Sequence, residues 1–396
     1  MKKILIIGAA AYQVPAIIRA KELGHVVYCV DYKEGQPGFI HADGYKIIDV
    51  RDKEHCLEYA QELGIDGVLT WGSTLTLPTV AFISKNMGLP GISKETAELS
   101  MSKFLIKKKL AEHGLNTGGE VFQLRNWDEA KARQYHFPVV VKPSDGSGSK
   151  GVSVVKNESE LDKAVQYAFD GARNHEIYVE PFILGTEYSV EAYVNDSKVY
   201  IYSIVKTNFK WMGEYPIYTQ TTYLDLDEDT ENKIGVEVEK AIYALDVQWG
   251  PVNFDVIVSS EDSNPYIIDV GIRNGQNLIA SHIVPLSRGV DELNNSIRIC
   301  LGQDVDAKPI KKEYISSRLL IYEPGVIVDI KPYDNLIGQN HIVDIILRKK
   351  VGDNLPRYET KSDICGWVLT KGETPEEALH YGDRAWELLK NHIIIK

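Results

Sequence analysis

From Lys2 to Ile7 the residues are apolar with little alternation, the pattern of a strand buried on both faces of a parallel sheet. Gly8-Ala9-Ala10 makes a turn, and between Gln13 and Leu23 the residues Ala16, Ile17, Ile18 and Ala20 recur at helical spacing. Gly24 closes that helix and His25 to Asp31 reads as a second strand, completing a βαβ unit. Gly44 to Val50 and Gly67 to Trp71 supply a third and a fourth strand, with a helix rich in Glu and Leu between them. Residues 1–97 are therefore expected to form an open parallel α/β domain, with strand ends near Gly8–Ala10 and Thr70–Ser73 placed to meet a small molecule.

Ser93 to Leu115 is predicted to be a helix, capped by Ser93, with Glu95 and Glu98 early and Lys103, Lys107, Lys108 and Lys109 later. Lys107 to Lys109 read as a solvated basic face, whereas Lys103 is free to point elsewhere. A β-branched strand, Pro138 to Val141, follows, then a helix from Glu158 to Ala172. Strands at Tyr178–Glu180 and Thr186–Val194 are joined by Pro181 to Gly185, and Val199 to Lys206 continues the sheet. Glu231 to Leu245 is amphipathic, Trp249-Gly250-Pro251 breaks it from two strands, Val252–Val258 and Tyr266–Val270, and from about Asp306 strands dominate (Arg318–Tyr322, Ile342–Arg348). The last helix, Pro375 to Lys390, opens on Thr374-Pro375-Glu376-Glu377, a cap and an acidic first turn. Three units are expected: 1–97, then 98–305 with a lid at about 116–190, and a small β-rich α+β unit at 306–396.

Composition narrows the function classes. Forty-four basic residues against 56 acidic give a net charge of −12, which argues against a nucleic-acid or anionic-membrane surface. Cys29, Cys56, Cys300 and Cys365 are scattered without metal spacing, so neither a zinc site nor a disulfide framework is expected, and a reducing cytoplasm is the expected location. The opening MKKILIIGAAAY has the outline of an export signal, but its apolar run is short and leads into Arg19, Lys21 and Glu22. No run approaches the length of a membrane span.

The chemistry-bearing stretch is Pro138 to Val152, PVVVKPSDGSGSKGV. Its strand ends in Lys142-Pro143, and Gly146, Gly148 and Gly151 stand among serines in the loop that follows. Glycine lets backbone N–H groups close on an anion and Lys142 adds a point charge, so the stretch reads as a phosphate cradle; the alternative is a flexible Gly/Ser loop. Further on, Asp255 and Asp269 each sit alone in an apolar strand, a costly placement unless the carboxylate is paired or binds a cation, and Arg273 follows closely. GAAAYQ at the first turn lacks the spacing of a dinucleotide fingerprint.

Taken in order, GAAAYQVPAIIRAKELGHVVYCVD, SKFLIKKKL, VVVKPSDGSGSKGV, YVEPFILGTEYSVEAYV, GPVNFDVIV, IIDVGIRNGQN and GWVLTKGETPEEAL resemble the ATP-grasp superfamily over nearly the whole chain. The resemblance is to the branch of biotin carboxylase, carbamoyl phosphate synthetase and phosphoribosylglycinamide synthetase. It implies an α/β pre-ATP-grasp domain, an ATP-grasp domain with ATP between two α+β subdomains, and a C-terminal α+β domain. It further implies that Lys103 and Lys142 contact ATP phosphates under a lid holding Ser147, Gly148, Ser149 and Gly151. Glu180 to Ile183 would form the adenine hinge, with Phe182 or Ile183 against the ring, and Glu187 would take the ribose hydroxyls. Asp255 and Asp269 would hold Mg2+, or Mn2+ in its place, and Arg273 would steady the transferring phosphoryl group. The family motif commonly reads Glu, Asn two residues on and Arg two further; here the residues are Asp269, Gly271 and Arg273, leaving water, Asn274 or Asn277 to complete a cation's shell.

The activity so implied is an ADP-forming carboxylate–amine ligase acting on small molecules. The alternatives are a small-molecule kinase with the same ATP site and an ATP-binding regulatory protein without turnover. Acceptor contacts are expected from Gly8–Tyr12, Thr70–Thr74 and Arg273, with Lys206 and His282 as weaker candidates. A homodimer is a further expectation of the resemblance, although no stretch announces an interface.

Overall fold

The computed structural model describes residues 1–396 apart from 116, 119–121, 132, 147–149, 213–214, 224–225, 277 and 359–362; the side chains of 127, 131, 210–212 and 215–218 are also set aside. The N-terminal unit is a parallel sheet of four strands in the order Gly44–Ile47, Val26–Asp31, Lys3–Ile7, Gly67–Leu69. Ile4 and Ile6 face one core, with Ile17 and Val27, while Leu5 and Ile7 face another, with Val30 and Ile83. Burial on both faces is what the near-continuous apolar run required.

The central feature is an antiparallel sheet of eight strands. Its order is Pro265–Gly271, Trp249–Ser259, Gly185–Asn195, Lys198–Met212, Tyr215–Tyr223, Tyr314–Leu320, Gly366–Gly372, Ile342–Leu347. The C-terminal strands extend this sheet rather than build a separate one, because Gln220 to Thr222 pair with Ser316 to Arg318. Helices Lys103–Glu112 and Glu228–Ala244 cover one face near its first strands, where Ile106, Leu110, Ile234, Val238 and Ile242 meet Val190, Val252 and Phe254. The residues alternating with these on the same strands are polar and face the other way.

A second, smaller sheet orders Phe122–Leu124, Ile177–Pro181, Val139–Pro143, Ser153–Val155, and the helix Glu158–Gly171 packs on it. This sheet ends at Pro181, short of the limit of about 190 anticipated for the lid, since Gly185–Asn195 pairs into the large sheet. The helix expected over Ser93–Leu115 is two helices, Lys94–Leu99 and Lys103–Glu112. Ser102 breaks them: its hydroxyl accepts from the Leu105 N–H at 3.3 Å and so caps the second helix instead of continuing the first. Among the described residues no helix is long and apolar enough to cross a membrane.

Ile242 is fully buried between the covering helix and the sheet. Ile242→Ala is expected to lower stability by about 2–5 kcal/mol, read as an earlier urea midpoint; an unmoved midpoint would show that this interface does not limit unfolding.

Candidate active site

Three adjacent strands place two polar rungs on the opposite face of the large sheet, where Ser189, Glu191 and Asn253 are buried. Ser189, Asp255 and Asp269 lie opposite one another in the first rung, and Glu191, Asn253 and Gly271 in the second. The two aspartates singled out in the sequence thus lie across from each other on neighbouring strands. They are hard oxygen donors of the kind Mg2+ takes in ones and twos beside substrate phosphates. Among the described residues no cluster of three His, Cys, Asp or Glu side chains could hold a metal without such help. The pair alone offers a cation two carboxylates of a larger shell.

Lys103 opens its helix against this pair and forms an ion pair with Asp269. Burial alone would raise the Asp269 pKa, but Lys103, Lys142 and Arg273 outweigh it and hold the carboxylate below its ordinary range. The start of this helix is tied to the phosphate-loop stretch: the Lys103 N–H donates to the Ser144 carbonyl at 3.0 Å, and the Ser102 and Ser144 hydroxyls lie 3.2 Å apart. Ser147, Gly148 and Ser149 lie outside the described residues. Gly151 is described, and its φ of +77° explains why glycine stands there.

Lys142 is joined to Glu180, whose other oxygen lies 3.1 Å from Lys107 Nζ. Lys107 also donates to the Ile267 carbonyl at 2.6 Å. This overturns the reading of Lys107 as part of a solvated face: its side chain is 3% exposed and that of Glu180 4%. Helical geometry explains the error, because Lys107 lies four residues after Lys103 and faces the same way, while Lys108 and Lys109 do not. Burial pushes the Glu180 carboxyl up, yet the two ammonium groups dominate and hold it below its ordinary range. Burial likewise opposes the charge on Lys142, and Glu180, with Asp269 and Glu187, raises its pKa above the usual value. Glu187, which lies in the strand Gly185–Asn195, is therefore electrostatically part of the same cluster. The Phe182 N–H donates to the Pro138 carbonyl at 3.1 Å, so the hinge strand is pinned to the strand that carries Lys142. Ile183 packs toward Gly118, and both Phe182 and Ile183 are half-buried.

Arg273 turns back over Gly271: a Cβ added at Gly271 would lie 3.0 Å from its guanidinium carbon. Its Nη1 donates to the Asn274 carbonyl at 2.8 Å. Asn274, considered as a cation ligand, is fully buried, and its Nδ2 reaches Glu292 Oε2 at 3.3 Å and Ser296 Oγ at 3.2 Å. Interior hydrogen bonding thus commits the amide nitrogen, while the buried Asn274 Oδ1 has no hydrogen-bond partner among the described residues. Asn277 lies outside the described residues. His282 sits in the π-helical turn Ile279–Ile283, its Nδ1 2.8 Å from the Ser281 hydroxyl, and Lys206 is half-buried in the strand Lys198–Met212. Of the loops proposed for acceptor contact, the 70–74 segment reaches the site: Gln276 Nε2 donates to the Gly72 carbonyl at 2.6 Å. A small cavity of about 60 Å3 beside Arg273 is bounded by Thr70, Leu77, Ile92, Trp249 and Ile272.

Lys107, Glu191 and Asn253 were missed in the sequence. Glu191 carried the signal that selected the two aspartates, a single acid between Val190 and Ala192 in an apolar strand. It is fully buried, and burial lifts its pKa to about 8 against the Gly275 N–H and Arg273. Glu292 is lifted well above the carboxylate range by burial and then by Glu191.

Comparison with known proteins agrees with this geometry. Residues 100–275 match the ATP-grasp domain family and residues 318–393 match L-amino acid ligase C-terminal domain 2, so the chain carries an ATP-grasp domain followed by a C-terminal region of that type. It is similar to formate-dependent phosphoribosylglycinamide formyltransferase of Bacteroides thetaiotaomicron, 30% identical over 190 residues, which are 46% of this chain and 48% of the relative. The first curated relatives are spanned over only 61% and 48% of their lengths. The fold is similar to that of L-amino acid ligase from Bacillus licheniformis, with a TM-score of 0.83 at 22% identity over 100% of this chain and 99% of that one. It is also similar to phosphoribosylglycinamide synthetase from Anaerococcus prevotii, with a TM-score of 0.75 at 23% identity over 100% and 99%.

Lys107→Ala leaves Glu180 paired with Lys142 but removes a buried ammonium with its hydrogen bond to the Ile267 carbonyl. It is therefore expected to lower the unfolding free energy by about 1–3 kcal/mol, whereas Lys108→Ala, exposed one residue later, should change it by under about 0.5 kcal/mol. Urea denaturation of the two variants checks the contrast, and equal effects would refute the buried assignment.

Proposed function

We propose that the chain is an ADP-forming carboxylate–amine ligase. The observation that carries this reading is the convergence of Lys103, Lys142, Asp269 and Arg273 on one electrostatic cluster, with Asp255 across the strand from Asp269. The matches to an ATP-grasp domain and an L-amino acid ligase C-terminal region support it. In the first step a substrate carboxylate oxygen attacks the γ-phosphorus of ATP and the bond to the ADP oxygen breaks, giving an acyl phosphate. In the second step an amine nitrogen attacks the acyl carbon, the carbon–oxygen bond to phosphate breaks, and the amine proton is lost as phosphate leaves. The likeness to an L-amino acid ligase along the whole chain makes amino acids the first carboxylates and amines to test.

The residues take their roles from charge and place. Lys103 and Lys142 neutralise phosphate oxygens, and Ser147, Gly148 and Ser149, which lie outside the described residues, are assigned with Gly151 to phosphate binding. Glu180 to Ile183, with Phe182 and Ile183 against the ring, receive adenine, and Glu187 takes the ribose. Asp255 and Asp269 would hold Mg2+, or Mn2+ in its place, and the ion would supply charge neutralisation at the phosphate. Without nucleotide Lys103 and Asp269 satisfy each other; phosphate oxygens suit the ammonium and their bound cation suits the carboxylate. Arg273 offers a planar fork to the phosphoryl group in flight. We further propose a cytoplasmic protein, with a homodimer as the assembly to test by sedimentation.

ADP and phosphate release from MgATP should require a carboxylate and an amine together when the purified chain is screened against paired pools. Release with one acceptor and a stable phosphorylated product would mean a kinase, and ATP binding without release in any pool would mean a regulatory protein.

Lys142→Ala should weaken ATP binding roughly 10–100-fold by equilibrium dialysis, the worth of one charged hydrogen bond. Asp269→Asn should lower Mg2+-dependent turnover by about 100-fold or more; full activity in that variant would remove Asp269 from the cation site.

A further inference from the structure

The segment that carries Arg273 is held from beneath by an element that none of the roles above uses. Glu191 Oε2 accepts from the Gly275 N–H at 3.0 Å and Oε1 accepts from Asn253 Nδ2 at 2.8 Å. The fit leaves no room for a side chain: a Cβ added at Gly275 would lie 1.7 Å from Glu191 Oε1. Asn253 stands two residues before Asp255 on its strand and directly opposite Gly271, over which the Arg273 guanidinium lies. One buried carboxyl therefore grips both flanks of the site, the turn after Arg273 and the strand of Asp255. The same turn is fixed by Asn274 on Glu292 and Ser296 and by Gln276 on the Gly72 carbonyl, which leaves Glu191 as its anchor to the large sheet.

We propose that Glu191 is a positioning residue of this active site, acting through Gly275 and Asn253 to hold Arg273 and Asp255 at their working separation. This rests on the ligase reading above. Glu191 is fully buried, with its two oxygens taken by Asn253 and Gly275. Its loss should spare the binding of ATP, which Lys103, Lys142 and the hinge provide, and should lower the rate of phosphoryl transfer. A misplacement of about 1 Å costs roughly 100-fold in rate.

The test is a double-mutant cycle in the full-length chain, using ADP release with the substrates found in the screen and equilibrium binding of MgATP. Glu191→Ala should lower kcat roughly 100-fold while ATP affinity stays within about threefold. Glu191→Gln, which keeps the volume and one accepting oxygen, should recover about a tenth of the wild-type rate or more. Gly275→Ala should be as damaging as Glu191→Ala in the wild type but should cost little once Glu191 is Ala, because the clashing oxygen is gone; that non-additivity is the signature of the contact. The inference is overturned alone if the wild type turns over and Glu191→Ala retains its kcat, if the two substitutions are additive, or if ATP binding is lost in step with kcat. If the intact chain releases ADP with no pair of substrates, the ligase reading fails and takes this inference with it.

Discussion

A carboxylate buried between two ammonium groups is the constraint on which the site is built. Glu180 ends a strand of the small sheet, Lys142 ends the strand beside it, and Lys107 comes from the helix that covers the large sheet. Lys107 also holds the Ile267 carbonyl, two residues before Asp269. Two sheets and a helix are thus locked by one charged cluster: without Glu180 two ammonium groups would face each other away from water, where pairing is the only compensation. The phosphate-side lysines and the aspartate strand keep their separation because this junction sits between them.

The cluster also sets the balance of charge in the cleft. Lys103, Lys107, Lys142 and Arg273 face Glu180, Glu187, Asp255 and Asp269, so the cations are matched in number by carboxylates. In a protein whose net charge is −12, four basic side chains gathered in one charge-balanced cleft are a local feature that the overall charge does not report. The acidic total argued against a nucleic-acid surface without speaking against a local phosphate site.

The fold was legible where a single pattern dominates. Continuous apolar strands, glycine helix stops and the capped C-terminal helix read correctly because burial on both faces and chain termini each have a local signature. What escaped depends on pairing between distant strands. Nothing around Tyr314 says that it continues the sheet of Gln220, and nothing near Glu191 says that Asn253 will stand opposite. Lys107 was misjudged because three consecutive lysines look alike in a string, whereas a helix turns each by about 100° and only one of them inward. Asp255 and Asp269 were found because an acid in an apolar strand is costly anywhere; Glu191 met the same criterion and lacked only a motif to draw the eye to it.

Gly271 follows from this geometry. A side chain there would meet the Arg273 guanidinium at 3.0 Å, so the glycine and the folded-back arginine are one feature. An amide oxygen at that place could ligate a cation, and a guanidinium cannot. With glycine at this place the Arg273 guanidinium lies over the strand, and Asp255 and Asp269 are the two carboxylates of the neighbouring rung. The amide of this rung is Asn253, one strand over, with its nitrogen committed to Glu191 and Ser189. It ties the strand of Asp255 to the buried glutamate, and because the same glutamate holds the turn after Arg273, the two flanks of the site share one brace.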